Sequence, residues 1–258
     1  MSATASVVFL VDVDNTLLDN DGVLEDLRGQ VEEELGQACW ERYRAILAGL
    51  WAELGYRDYL GALQQYRVEH PYDARLPRLA LLLLDYPFGR RLYPRAQEVL
   101  AQLRAWGPTV LLTDGDVVFQ PRKLQRSGLW RSVEGRVLIY VHKERELHDI
   151  ETRYPADHYV LIDDKPTILG AMKRVWGRRV TTVLPRQGQY ARDPALLSGQ
   201  PPPDLTVARI ADLLGYDLQT LVAAGPWRYP ARPKVIPFRP GLRRAVTTPM
   251  AVPGSEWR

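Results

Sequence analysis

The sequence predicts an α/β fold, a Rossmann-like parallel sheet with a block of helices inserted after its first strand. Three observations lead there. Val7-Val8-Phe9-Leu10-Val11 is an unbroken apolar run rich in β-branched and aromatic residues, the pattern of a strand covered on both faces. Four further runs, at residues 109–112, 137–141, 159–162 and 179–184, alternate with helical segments, as parallel strands joined by right-handed crossovers do. Residues 20–91, between the first run and its successors, are helical in period and far exceed what one crossover needs.

Taken in order, the first strand runs into Asp12-Val13-Asp14. At period two both acids leave the backbone on the same side beyond the strand's carboxyl end, where open α/β sheets bind ligands. Asp19-Asn20-Asp21-Gly22 is a polar turn, and helices are predicted over residues 23–35, 37–54, 56–69 and 76–85. Trp40, Tyr43, Leu47, Leu50 and Leu54 recur at three- and four-residue steps, giving the second helix an apolar face for packing. Pro87 and Gly89 close this block. Pro94 opens an amphipathic helix through Val99, Leu100 and Leu103 to Trp106, which Gly107-Pro108 breaks.

The second strand then runs into Thr113-Asp114-Gly115-Asp116 and a helix to Ser127. The third precedes His142-Lys143 and a polar helix to Arg153, and the fourth meets Asp163-Asp164 before a helix over residues 167–176. Pro201 to Pro203 form a stiff connector, and residues 204–214 read as a terminal helix. The organisation expected is a discontinuous core (1–19 and 92–225), a helical cap (20–91) and a tail (226–258).

Composition narrows the class. Hydrophobic residues at 46% and charged residues at 25% are ordinary for a globular protein and argue against wholesale disorder. The single cysteine, Cys39, excludes a disulfide framework or cysteine-rich zinc site, fits a reducing compartment and reads as a packing residue. No run approaches the roughly eighteen apolar residues of a membrane span. Residues 7–11 are too short for a signal-peptide core, so a cytoplasmic location and no membrane partner are expected.

The net charge of +3 conceals an asymmetry: Arg228, Arg232, Lys234, Arg239, Arg243, Arg244 and Arg258 face only Glu256 in the tail, leaving the rest slightly acidic. The basic balance therefore describes the Pro- and Arg-rich tail. That tail is expected to be extended or disordered and could contact an acidic partner, while the folded body is not expected to bind nucleic acid.

Each chemical motif alone has a plain reading. Asp-x-Asp is common in turns, Asp163-Asp164 could cap the following helix, and Lys143 could be a solvated helix residue with Lys123 as its rival. Together, Asp12-Val13-Asp14-Asn15-Thr16, Thr113, Lys143 and Asp163-Asp164 stand in this order, each at a strand end. In that arrangement they resemble the four motifs of the haloacid dehalogenase superfamily, with the likeness covering residues 5–215. Only five of the 34 basic residues are lysines, which gives a lysine at the expected place more weight.

The resemblance implies a sheet with the Asp12 strand central, flanked by the Thr113 and Asp163 strands. It implies Asp12 as nucleophile and Asp14 as general acid and then base. Thr113, Lys143, Asn15 and Asp114 would contact the phosphoryl group or substrate. Mg2+ would be held by Asp12, the Asp14 carbonyl, Asp163 and Asp164, the last directly or through water. The chemistry suits these residue types. Phosphoryl transfer needs an in-line nucleophile, neutralisation of the equatorial oxygens and a proton for the leaving group. Four carboxylates in one cleft repel unless a cation sits among them, and magnesium prefers such hard oxygen ligands.

Asp14 disfavours halide displacement, which needs no acid there, and the absence of any lysine before Lys123 excludes the family's Schiff-base phosphonate hydrolysis. The expectation is a Mg2+-dependent phosphomonoester hydrolase acting on a small phosphorylated metabolite. The alternatives are a sugar-phosphate mutase and a catalytically weak phosphate-binding or regulatory protein. Arg28, Arg42, Arg44, Arg57 and Arg67 are candidates to grip a second anionic group, with surface pairing as the plainer reading. His142, His148 and His158 read as surface residues or as support behind the site, and His70 as a loop residue.

Overall fold

A computed structural model describes residues 5–225. The expectations for the basic tail concern residues outside that range. Six parallel strands form one sheet in the order β3-β2-β1-β4-β5-β6: β1 Ala5–Val11, β2 Thr109–Asp114, β3 Val137–Tyr140, β4 Ala156–Ile162, β5 Val180–Pro185 and β6 Leu205–Val207. The central place of β1 follows from its sequence. Val7, Phe9 and Val11 pack into the apolar cluster on one face, and Val8 and Leu10 into the cluster on the other. Because β2 and β4 flank β1 in parallel register, with Val11 opposite Leu111 and Ile162, the loops after all three open on the same edge.

Four helices rise from that edge between β1 and β2: α1 Asn20–Leu35, α2 Gln37–Leu54, α3 Tyr59–Glu69 and α4 Leu76–Leu84. The Asp19 carboxylate accepts from the Gly22 amide at 3.0 Å to cap α1, and Val23, Leu27, Val31 and Leu35 bury one stripe of it. Trp40, Tyr43 and Leu47 of α2 are core, as the spacing predicts, and Cys39 is buried beside them. The third helix starts later than expected. Gly55 ends α2 in the left-handed conformation, and Asp58 caps α3 by accepting from the Gly61 amide at 2.7 Å. Residues 55–58 are therefore a loop hanging over the strand ends.

The block joins the rest of the chain through two adjacent crossings. Leu18 bridges Leu92, the Asp19 amide donates to the Arg91 carbonyl at 2.7 Å, and the Tyr93 amide donates to the Leu17 carbonyl at 2.9 Å. The next helix, α5 Ala96–Trp106, begins after Arg95 and not at Pro94, because Arg95 sits at φ 64° outside the helix. The crossovers continue with α6 Phe119–Ser127, α7 Leu129–Ser132, α8 Leu147–Arg153 and α9 Pro166–Trp176. Short α10 Pro194–Leu197 and α11 Leu218–Ala223 follow. The inserted helical block packs on α6, where Tyr59 stacks on Phe119 with ring centroids 4.7 Å apart.

Two sequence readings are corrected. Residues 204–214 form β6 and a 3-10 turn at Ile210–Gly215, not one helix. Asp204 accepts from the Thr182 amide and from Lys173 Nζ at 2.8 and 2.6 Å, which ties the segment to β5 and forces strand pairing. His158 is not a surface group. It lies fully buried in β4, with Nε2 2.9 Å from Thr181 Oγ1. Among the described residues no helix is long and apolar enough to cross a membrane.

Candidate active site

The site is built from four strand ends. Strand β1 stops at Val11, held by a hydrogen bond from the Asp12 amide to the Ile162 carbonyl at 2.9 Å. The chain then curls tightly. The Val13 carbonyl accepts from the amides of Thr16, Leu17 and Leu18, and Asn15 takes a left-handed φ of 59°. The curl separates the two carboxylates that strand period alone would have set side by side.

Asp12 faces inward. Lys143, from the turn after β3, places Nζ 2.5 Å from Asp12 Oδ1 and 2.7 Å from Asp163 Oδ2, and also donates to the Leu112 carbonyl at 3.2 Å. Lys143, Asp163 and Asp164 are wholly buried. Burial pushes the Asp12 carboxyl up to about 6, with Asp163 adding and Lys143 opposing. Burial and then the Asp12 and Asp163 charges push Asp164 well up. For Lys143 burial works the other way, but Asp12, Asp163 and Asp114 outweigh it and hold the ammonium firmly protonated.

One lysine does not neutralise this group. Asp12, Asp163 and Asp164 each bring a carboxylate oxygen within 4.8 Å of the others, and Asp12 Oδ2 and both Asp164 oxygens have no hydrogen-bond partner. Three buried carboxylates with unused oxygens are costly as they stand, and the all-oxygen donor set fits a hard divalent cation. The Asp14 side chain is not part of this cluster.

Asp14 is gripped from the other side. Lys123 Nζ on α6 lies 2.7 and 2.9 Å from its two oxygens, and Gln120 Nε2 lies 3.3 Å from Oδ2. Burial would raise Asp14, but the Lys123 charge and hydrogen bond prevail and hold its carboxyl below the ordinary range. Lys123, weighed from sequence only as a rival to Lys143, thus has a place of its own. The readable signal was that Gln120 and Lys123 stand three residues apart and so share a helix face.

The remaining expected residues line one cavity with Asp12 and Asp14. Thr113 is buried in its wall. Asp114 accepts from the Lys143 amide at 2.9 Å and faces Lys165 Nζ at 3.8 Å, so it also anchors the lysine turn. The Asn15 side chain is in the wall, but its amide already pairs with Asp21 in both directions at 3.1 Å. Gly188, at φ 64°, packs so closely on Asn15 that a side chain there would collide with it.

The inserted helical block supplies the far wall with Trp51, Tyr56, Arg57 and Tyr59. Of the five candidate arginines only Arg57 turns in, facing Asp21 at 3.9 Å. Arg28 pairs with Glu25 and Glu32 and Arg42 with Glu69, while Arg44 and Arg67 are exposed. Lys165, over the Tyr190 ring at 5.5 Å, completes the enclosure and was not anticipated. The space within is small, about 40 Å³, room for a few waters beside the acids.

A family model described as haloacid dehalogenase-like hydrolase matches residues 7–175. A haloacid dehalogenase-like hydrolase of Burkholderia xenovorans is 58% identical, covers 83% of this chain and 97% of its own, and superposes with a TM-score of 0.79. The HAD-hydrolase YfnB of Bacillus subtilis, solved with magnesium bound, is 16% identical (82% and 98% covered, TM-score 0.54). The L-2-haloacid dehalogenase of Xanthobacter autotrophicus is 19% identical (81% and 97% covered, TM-score 0.54). These last two share the fold. No curated protein matches this chain. The strand-end acids and lysine, the parallel sheet around them and these likenesses agree, and the chain belongs to the haloacid dehalogenase-like hydrolases.

Proposed function

We propose that this hydrolase is a magnesium-dependent phosphomonoesterase that works through an aspartyl-phosphate on Asp12 and takes a small phosphorylated metabolite. The observation that carries the reading is the division of labour between two carboxylates. Asp12 lies against an acid cluster with unused oxygens, and Asp14 stands apart in the same cavity wall, oriented by Lys123 and Gln120. Halide displacement has no use for the second acid; ester cleavage has.

Asp12, Asp163, Asp164 and the Asp14 carbonyl would hold the cation, which when bound offsets charge on the phosphoryl oxygens. An Asp12 oxygen attacks phosphorus as the bond to the ester oxygen breaks. Asp14 rests ionised, so the proton it relays to the leaving alcohol is the one brought in by a monoanionic ester. In the second half Asp14 takes a proton from water, whose oxygen displaces Asp12 from phosphorus and frees inorganic phosphate. Lys143 balances the charge on Asp12 throughout, and Thr113, whose hydroxyl now donates to the Asp114 carbonyl at 3.3 Å, would turn to a phosphoryl oxygen.

The test is release of inorganic phosphate from 4-nitrophenyl phosphate with and without Mg2+, beside release of halide from 2-chloropropionate and with Asp12→Asn as control. Mg2+-dependent phosphate release abolished in the variant is expected. Halide release without phosphate release would make the chain a dehalogenase, and neither activity in folded protein would make it a binding protein.

A further inference from the structure

Lys123 is fully buried, 109 residues from Asp14 in sequence, and spends two of its three donors on the two oxygens of that one carboxylate. Its third neighbour, Asn20 Oδ1 at 3.4 Å, is the first residue of α1 in the cap. One helical turn away Gln120 donates to Asp14 Oδ2 at 3.3 Å and to the Asp114 carbonyl at 2.9 Å. The helix that carries both is itself wedged. Phe119 stacks on Tyr59 and meets Phe88 edge-on at 5.8 Å, and Arg122 reaches Asp85 at 2.7 Å. A carboxylate fixed at both oxygens by a rigid element has one orientation.

We infer that Lys123, with Gln120 on the same face of α6, is a positioning residue that aims the Asp14 carboxylate at the leaving oxygen of the substrate. The inference rests on the phosphomonoesterase reading. It assigns Lys123 a task separate from that of Lys143: Lys143 serves the phosphorus end, through Asp12 and Asp163, and Lys123 the leaving-group end. A buried pair that only held the fold together would affect every substrate alike. A pair that aims a proton donor matters in proportion to how much the leaving group needs the proton.

The experiment compares two esters in one preparation, with magnesium present. 4-Nitrophenyl phosphate leaves as a stable anion that needs no proton, whereas a primary alkyl phosphate leaves as an alkoxide that does. For Lys123→Met the expected loss in kcat/KM, which reports only the half-reaction that expels the alcohol, is on the order of 100-fold on the alkyl ester, the low end of what general acid catalysis supplies, with a far smaller loss on the aryl ester. The folded fraction cancels in the ratio of the two rates. Should Lys123→Met give no soluble protein, Lys123→Arg and Gln120→Leu are read by the same ratio. Arg is expected to restore much of the alkyl rate, and Leu to shift the ratio in the same direction to a smaller degree. Equal losses on both esters would overturn the positioning role while leaving the phosphatase reading intact, and a wild type inert on both would overturn the two together.

Discussion

Lys143 Nζ lies 2.5 Å from Asp12 Oδ1, with the ammonium wholly shut off from solvent and the carboxylate nearly so. Removing the lysine leaves the buried Asp12 and Asp163 carboxyls without the cation that bridges them. Lys143→Met is expected to abolish turnover and, without divalent metal, to lose roughly 3–5 kcal/mol of stability, the usual penalty for orphaning a buried charge. Urea unfolding in chelator measures it; a loss below about 1 kcal/mol would mean that the acids are neutralised by other means.

The unused oxygens of Asp12 and Asp164 predict stabilisation by metal. At a hundredfold excess over its dissociation constant a ligand adds about 2.7 kcal/mol, which for a chain this size raises the melting temperature by roughly 5–10 °C. Thermal melts with Mg2+ against chelator are expected to show that rise, and Asp164→Asn to lose most of it. An unchanged melting curve in wild type would count against a cation at this cluster.

Arg57 is the cap cation turned into the cavity. If it meets an anionic part of the substrate, Arg57→Ala should raise KM by about 10- to 100-fold, the equivalent of one charge-assisted hydrogen bond. Arg42→Ala should leave KM unchanged, since Arg42 is engaged with Glu69 on the surface. Steady-state kinetics on a common substrate would separate the two, and equal KM values would deny Arg57 a binding role.

His158 predicts a pH effect on stability away from the site. Burial, with Lys173 and Arg179 adding and Asp204 opposing, pushes its imidazole down to about 4. Below its unfolded value near 6.5 the unfolded chain takes a proton that the native state refuses, so stability present at neutral pH falls as pH drops from about 6.5 to 4. The contribution is at most about 3 kcal/mol at 1.36 kcal/mol per unit. His158→Gln should show a correspondingly shallower acid dependence, and matching slopes in the two proteins would refute the assignment.

The sequence alone determined which residues meet at the active edge. Apolar runs mark the strands, a parallel sheet puts their carboxyl ends on one side, and so Asp12, Thr113, Lys143 and Asp163-Asp164 had to converge. That logic is local, since strand period and strand ends are written in consecutive residues. Tertiary structure decided what each acid faces. The tight curl after Val11 turns Asp14 away from Asp12, and Lys123 closes on it from a distant helix. Packing of the cap on α6 brings the 55–58 loop and Arg57 over the acids, and the pairing of Asp204 with β5 turns a helical pattern into β6. These choices depend on contacts between residues far apart in the chain, whose energies no local pattern of residues encodes.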